Sequence, residues 1–286
     1  MSGHVRIFEM APRDGLQNES RFVPTPDKIR LIDLLSQCGF ERIEATSFVS
    51  PRWVPQLADA AGVMAGIARN PSVGYAALVP NLKGYEAARA AKVDEVAVFA
   101  SASEGFSRKN INCSISESLD RFGPVLAAAA ADGIAVRGYV SCVTDCPYDG
   151  PIAPAAVAHV AGELLAMGCY EVSLGDTIGH ATPATISAML DAVLGEVPAD
   201  RLAGHYHDTM GRALDNIGVS LKAGLRTFDA SAGGLGGCPY APGAKGNVDT
   251  AAVDSLLRGL GFDTGLDVDM LEAAARFARS LRSPAA

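Results

Sequence analysis

The chain alternates from end to end between short runs rich in β-branched and apolar residues and longer Ala-rich stretches with helical spacing. This rhythm constrains the fold most, because strands that alternate with helices build a parallel sheet covered by those helices. Strand character is found at residues 5–10, 42–45, 74–78, 95–99, 135–140, 171–174, 202–207 and 227–230. Helical spacing is found at residues 26–38, 54–69, 84–91, 115–131, 153–167, 183–194, 212–223, 250–260 and about 269–281.

Eight such units in a chain of 286 residues predict an α/β fold, a (β/α)8 TIM barrel, as a single domain over residues 1–286. An open doubly wound sheet is the alternative, but no G-x-G-x-x-G follows the first strand, so its dinucleotide-binding form has no support. The barrel is expected to carry a long Gly-rich loop after strand eight, at residues 231–247, and an extra C-terminal helix. A loop of that length and composition favours a mobile lid.

Composition restricts the classes of partner. The net charge of −8 argues against non-specific binding to nucleic acid or to an acidic membrane, and no apolar run approaches the ~20 residues of a membrane span. Six scattered cysteines favour a reducing compartment over a disulfide framework, and strand character begins almost at Met1. We therefore expect a cytoplasmic protein. Cys142 and Cys146 permit a metal or redox pair, but their C-x-x-x-C spacing, with no second pair after it, favours a structural role.

In a barrel of this kind the site forms at the carboxyl ends of the strands, so polar residues just past each strand are the candidates. His205 and His207 stand two apart in an extended run and point to the same face, with a spacing that suits one metal ion. Asp14 lies past strand one, separated from strand seven only by strand eight. With Asn247 as a possible amide ligand, these residues predict a mixed N/O site for Mg²⁺, Mn²⁺ or another divalent ion.

Other candidates surround this predicted metal site. Arg13 can clamp a carboxylate or stabilise an enolate, and Glu44 can orient Arg13, transfer a proton or form a plain salt bridge. Asp176 is either a site carboxylate or the start of a helix turn. Cys238 is the only thiol in the Gly-rich loop, where proton transfer or nucleophilic attack is more plausible than burial in a core.

The chain resembles the 3-hydroxy-3-methylglutaryl-CoA lyase family, part of a wider group of metal-dependent lyases and Claisen-type synthases on TIM barrels. The resemblance rests on residues 11–18 (APRDGLQN), 43–51 (IEATSFVSP), 110–114 (NINCS), 137–142 (RGYVSC), 173–179 (SLGDTIG), 205–209 (HYHDT) and 234–241 (GLGGCPYA). The Arg-Asp and His-x-His segments are common to the wider group, whereas the cysteine loop belongs to the lyase branch.

The resemblance implies a carbon–carbon lyase that cleaves 3-hydroxy-3-methylglutaryl-CoA to acetyl-CoA and acetoacetate. By position it implies metal ligation by Asp14, His205, His207 and Asn247 and catalytic roles for Cys238, Arg13, Glu44 and Asp176. Arg13 and Gln17 are implied to contact the CoA thioester substrate. It further suggests a homodimer. The C-terminal residues 280–286 lack the polar CoA-contacting residues and the final cysteine of longer family members.

Three other activities stay open at this point. One is a synthase of the same barrel group that condenses acetyl-CoA with a 2-oxo acid, and another is a lyase for related 3-hydroxy-3-alkylglutaryl-CoA substrates. The third, from a different class, is a catalytically inactive barrel that serves as a binding protein. The Cys238 loop argues against the first, and the intact set of site candidates argues against the last.

Overall fold

The computed structural model describes residues 3–236 and 246–282, and these form a closed barrel of eight strands. The strands are β1 (Arg6–Glu9), β2 (Arg42–Ser47), β3 (Gly74–Leu78), β4 (Glu95–Ser101), β5 (Ala135–Ser141), β6 (Glu171–Asp176), β7 (Leu202–Tyr206) and β8 (Thr227–Ala230). Each pairs in parallel with its neighbours in sequence, and β1 closes the barrel by pairing with β8. The predicted TIM barrel is confirmed.

Helices follow the strands and cover the outside of the barrel. They are α1 (Thr25–Leu35), α2 (Ala60–Gly66), α3 (Leu82–Ala90), α4 (Glu104–Ile111), α5 (Ile115–Asp132), α6 (Pro154–Ala166), α7 (Pro183–Val193), α8 (Ala213–Lys222), α9 (Thr250–Gly259) and α10 (Val268–Ser280). None of the described helices is long and apolar enough to cross a membrane. The last of them, α10, is the predicted extra C-terminal helix.

Two helical predictions differ from the structure for identifiable reasons. The helix predicted over residues 54–69 is only α2, preceded by the short 3₁₀ turn Pro55–Leu57. Val54 stands before a proline, which disfavours the helical region, and its φ of −130° and ψ of 76° are accordingly non-helical. The helix α4 was not predicted, although Ser103 caps it by accepting a hydrogen bond from the amide of Phe106.

Alternation along the strands gives the barrel two unlike faces. Outward-pointing residues such as Val172 and Leu174 are buried in one continuous apolar core with the helices. The inward face holds a small apolar cluster that includes Phe8 and Ala97, but many of its buried side chains are polar or charged, among them Glu44, Arg137 and Asp229. The inner face therefore points a set of paired charges toward the mouth of the barrel, where the site candidates lie.

Candidate active site

The chain leaves β1 through a single π-helical turn, Ala11–Gly15, which brings Arg13 and Asp14 to the mouth of the barrel. This turn packs tightly against the segment that follows β8. A Cβ on Gly15 would lie 2.8 Å from Ser231 Oγ, so only glycine fits at this approach. Asp14 is thereby held on the side of the rim that faces β8 and β7.

His205 lies in β7 and His207 follows its last residue, and both face the same side, as the period of two predicted. Their Nε2 atoms are 3.3 Å apart, and the Asp14 Oδ2 atom lies 3.9 Å from His205 Nε2. One ligand atom from each of the three residues lies within 4.8 Å of the other two. Only β8 separates β1 from β7, so the predicted convergence across one strand is found.

The donor set of these three residues fits a divalent cation. Two ligands that share an ion at about 2.1 Å lie ~3 Å apart, which is close to the 3.3 Å between the Nε2 atoms of His205 and His207. Two imidazoles and one carboxylate also leave coordination positions open, whereas a structural zinc site is closed by four protein ligands. These residues can therefore hold Mg²⁺, Mn²⁺ or a similar ion.

Asn247, predicted as a further ligand, lies at the same site but turns its amide nitrogen inward. That nitrogen donates to Asp14 Oδ2 at 2.8 Å and to the carbonyl of Leu235 at 3.3 Å. Gly236 makes room for it, since a Cβ there would lie 2.6 Å from Asn247 Nδ2 and the residue has a φ of +108°. Ligation through the Asn247 oxygen requires the amide to turn over, an exchange of two atoms of similar size.

Arg13 is held between two carboxylates. Its Nε donates to Glu44 Oε2, and its Nη1 donates to Asp14 Oδ1 at 2.5 Å. Glu44 is fully buried, and only 8% of the Arg13 side chain is exposed, so the pair is shielded from water. Of the roles that the sequence left open for Glu44, this contact favours the orientation of Arg13, whose guanidinium stays beside Asp14.

Burial and charge together set the ionisation of the metal-binding candidates. Burial acts to raise the pKa of Asp14, but the charges of Arg13 and then His205 outweigh it and hold that pKa well below its ordinary value. Burial and the neighbouring His205 lower the pKa of His207 to about 4. An ionised carboxylate beside a neutral imidazole is the state in which both can bind a cation.

A buried polar network under the site was not predicted from the sequence. Asp229 on β8 lies 3.1 Å from His205 Nδ1 through its Oδ2 and accepts two hydrogen bonds from Arg137 on β5, at 2.8 and 3.1 Å. Arg137 also donates to the hydroxyl of Tyr139 at 3.0 Å, and that hydroxyl donates to Glu44 at 3.3 Å. A sequence signal existed, because an arginine in the middle of a barrel strand must find buried partners.

Asp176 ends β6, and its contacts are those of a turn. Its carboxylate accepts hydrogen bonds from the backbone amides of His180 at 3.2 Å and Ala181 at 3.0 Å, just before α7 begins. Burial raises the pKa of Asp176 to about 6. These bonds match the helix-turn alternative for this residue, and its catalytic role stays a prediction.

The remaining candidates are placed as follows. Gln17 is half-buried just beyond the π-helical turn, and its substrate contact stays a prediction. Cys238 lies outside the described residues, as does most of the predicted lid. Cys142 is buried, and the Cys146 sulfur accepts hydrogen bonds from the amides of Tyr148 and Asp149, both at 3.3 Å. The latter bonds favour the structural alternative for this cysteine pair, in a turn.

Comparison with known proteins places this chain among lyases. A family model described as HMGL-like matches residues 4–278. The 3-hydroxy-3-isohexenylglutaryl-CoA/hydroxy-methylglutaryl-CoA lyase of Pseudomonas aeruginosa is 59% identical over 267 residues, which are 93% of this chain and 89% of that protein.

Two solved structures extend the comparison to three dimensions. The HMG-CoA lyase from Brucella melitensis superposes with a TM-score of 0.98 at 68% identity, over 98% of this chain and 99% of that chain. An HMG-CoA lyase from Acinetobacter baumannii, in complex with coenzyme A and 3-methylmalate, superposes with a TM-score of 0.92 at 36% identity, over 97% and 91% of the two chains.

Proposed function

This chain belongs to the HMGL-like family, and we propose on that premise that it is a carbon–carbon lyase that cleaves 3-hydroxy-3-methylglutaryl-CoA to acetyl-CoA and acetoacetate. The names of its relatives support this substrate. The observation that carries the proposal is the convergence of Asp14, His205 and His207 within 4.8 Å beside the buried guanidinium of Arg13. That arrangement supplies a site for a cation and a fixed positive charge next to it.

The reaction breaks the bond between carbons two and three of the acyl group. The tertiary hydroxyl on carbon three loses its proton and becomes the ketone of acetoacetate, while the bonding electrons form the enolate of acetyl-CoA. We assign Asp14, His205 and His207, with Asn247 after its amide turns, to hold a divalent ion, Mg²⁺ or Mn²⁺. When bound, such an ion acts as a Lewis acid that eases deprotonation of the hydroxyl.

Arg13 has the position and charge to stabilise the developing enolate oxygen. Glu44 keeps the guanidinium in one orientation from its buried position on β2, so little reorganisation is needed when charge develops. Because the Arg13 side chain is only 8% exposed, its charge is weakly screened by water. The enolate carbon must then receive a proton, and we propose the Cys238 thiol as the donor.

A coupled assay for acetoacetate tests this function. The purified protein is incubated with 3-hydroxy-3-methylglutaryl-CoA after treatment with a chelator, and Mg²⁺ or Mn²⁺ is then added back. We expect product only with the ion present. Full activity in the chelated sample would exclude a metal-dependent reaction. Release of free CoA from acetyl-CoA and a 2-oxo acid would favour the synthase instead.

Replacement of Cys238 by alanine tests the proton donor. We expect kcat to fall by at least about 10²-fold, the lower range for a proton-transfer group, with unchanged affinity for Mn²⁺. Cys38→Ala is the matched control, because Cys38 is a buried thiol in the turn between α1 and the start of β2, away from the barrel mouth. A near-wild-type rate for Cys238→Ala would remove this thiol from the mechanism.

A second substrate class is favoured by one specific observation. The Pseudomonas aeruginosa relative carries a name that includes a 3-hydroxy-3-isohexenylglutaryl-CoA lyase activity, at 59% identity to this chain. We propose that the protein also cleaves 3-hydroxy-3-alkylglutaryl-CoA substrates with longer substituents on carbon three, which can be assayed in parallel with the methyl substrate. Comparable kcat/KM for the two substrates would support this wider class. Activity on the methyl substrate alone would restrict the protein to it. The cytoplasmic location and the homodimer stay predictions.

A further inference from the structure

We propose that Arg137 and Asp229, two fully buried residues inside the barrel, are positioning residues for both halves of the site. From a single guanidinium, one hydrogen-bonded branch reaches the Nδ1 atom of His205, on the opposite side of the ring from the metal-binding Nε2, and the other reaches Arg13. The proposal rests on the proposed function, because it concerns how the metal and substrate groups of that site are held.

The first branch orients His205. A carboxylate only accepts hydrogen bonds, so the 3.1 Å contact between Asp229 Oδ2 and His205 Nδ1 places the ring proton on Nδ1. The Nε2 atom, which faces Asp14 and His207, then keeps its lone pair for a cation. A carboxylate that fixes a metal-binding histidine in this way commonly governs metal affinity.

Asp229 is itself held from two further directions. Arg137 donates to both of its oxygens, at 2.8 Å to Oδ1 and 3.1 Å to Oδ2. The Ser173 hydroxyl donates to Oδ2 at 2.8 Å. Glu171 accepts from the Nε of Arg137 at 2.9 Å and fixes the guanidinium in turn. The carboxylate therefore has one orientation, and its contact with Nδ1 holds the His205 ring in one orientation as well.

The second branch runs toward the substrate. The Arg137 Nη1 that contacts Asp229 also donates to the hydroxyl of Tyr139 at 3.0 Å. Tyr139 donates to Glu44 Oε1 at 3.3 Å, and Glu44 accepts from Arg13 through its other oxygen. One nitrogen atom of Arg137 thus joins both branches.

Stability alone is a poor reason for this network. The interior of a TIM barrel is ordinarily filled by layers of branched apolar side chains, and buried ion pairs often stabilise no better than apolar residues of the same volume. Arg137 and Asp229 are only 0% and 2% exposed. What the pair does provide is a fixed orientation for His205 and Arg13 at the rim of the barrel.

Asp229→Asn tests the metal branch. His205 and Arg137 both donate hydrogen bonds to Asp229, and an amide has only one oxygen to accept them. Whichever way the amide turns, its NH₂ group therefore faces a donor. We expect affinity for Mn²⁺, measured from the electron paramagnetic resonance signal of the free ion, to fall by about 10- to 100-fold. Unchanged Mn²⁺ affinity in a folded Asp229→Asn protein would overturn the proposal. A wild-type protein that binds no Mn²⁺ would instead contradict the proposed function.

Tyr139→Phe is the matched variant for the other branch, since it removes one hydroxyl and leaves Asp229 in place. We expect its Mn²⁺ affinity to equal that of the wild type while kcat falls about fivefold, the kinetic equivalent of one neutral hydrogen bond. A purely structural role would move both measurements together or neither. Loss of Mn²⁺ affinity in Tyr139→Phe would show that the two branches are not separate.

A measurement on the unaltered protein covers the case in which Asp229→Asn does not fold. Long-range ¹H–¹⁵N correlation of the histidine side chains, without metal and at mildly alkaline pH, reports which ring nitrogen of His205 is protonated. A His205→Gln variant assigns its signals among the five histidines. Protonated Nδ1 with unprotonated Nε2 supports the positioning by Asp229, and the opposite tautomer overturns it.

Discussion

The outer and inner faces of the barrel sheet share the same strands but bury different chemistry. On β6 the outward Leu174 packs into the apolar core with the helices, while its neighbour Ser173 points inward and bonds to Asp229. Apolar burial is non-directional and depends mainly on area. Paired charges have fixed directions and cost desolvation. The outer face is therefore suited to hold the barrel together, and the inner face to aim the groups at its mouth.

The largest expected effect comes from the top of the inner face. For His207→Ala we expect loss of Mn²⁺ binding and a fall in kcat of about 10³-fold, equivalent to ~4 kcal/mol of transition-state stabilisation. Without metal, the free energy of unfolding should change by less than about 1 kcal/mol, because no apolar packing of the outer face is lost.

His159→Ala is the control for this variant, since His159 is an exposed histidine on α6. It should leave both turnover and Mn²⁺ binding unchanged. Retention of metal binding and activity in His207→Ala would show that this inward-facing residue is not needed for function. The assignment of function to the inner face and of stability to the outer face would then be wrong.

Adjacent residues of β6 give the sharpest test of the contrast. Leu174→Ala should lower the free energy of unfolding by about 3–4 kcal/mol through lost burial and a cavity, with Mn²⁺ affinity unchanged in the folded protein. Ser173→Ala removes one donor to Asp229 and should cost only about 1 kcal/mol of stability. It should nevertheless weaken Mn²⁺ binding severalfold. Urea unfolding and Mn²⁺ titration of the two variants measure both effects, and equal outcomes would contradict a division of labour.

The sequence predicted the outer face and the rim better than the interior. Apolar burial produces alternating strand and helix patterns that can be read from local periodicity, so the ends of all eight strands were predicted to within about two residues. Asp14, His205 and His207 stand where strands end, and the topology alone brings such residues to one rim. The same topology brings Glu44, on β2, close to Arg13, which follows β1, because these two strands are neighbours in the barrel.

The inner network could not be predicted in the same way. Arg137 and Asp229 lie within their strands, so a search for polar residues just past each strand passes over them. Their pairing joins residues 92 apart in sequence and depends on the barrel's register and width. The π-helical turn and the inward amide of Asn247 are likewise set by packing between the segments after β1 and β8, which no local pattern encodes.

Asp176 is an exception that sharpens the contrast, because it is a buried carboxylate on the outward side of β6, in line with Leu174. Burial raises its pKa from 3.8 to about 6. Well below pH 4 both the folded and unfolded chains hold the proton, and Asp176 contributes nothing to the pH dependence. As the pH rises toward 6, the unfolded chain releases its proton first, so the folded state loses stability relative to it.

We therefore expect the wild type to lose about 2–3 kcal/mol of stability between pH 4 and pH 7 relative to Asp176→Asn, which carries no titrating group. The asparagine oxygen still accepts one of the two backbone bonds from His180 and Ala181, so the turn should persist. Urea unfolding of both proteins across this pH range measures the difference. Parallel curves would show that the outer face tolerates a charge as well as the inner one does. A loss of turnover in Asp176→Asn, with stability and Mn²⁺ affinity intact, would instead assign this carboxylate to the catalytic machinery, because a residue that only supports a turn acts through the fold.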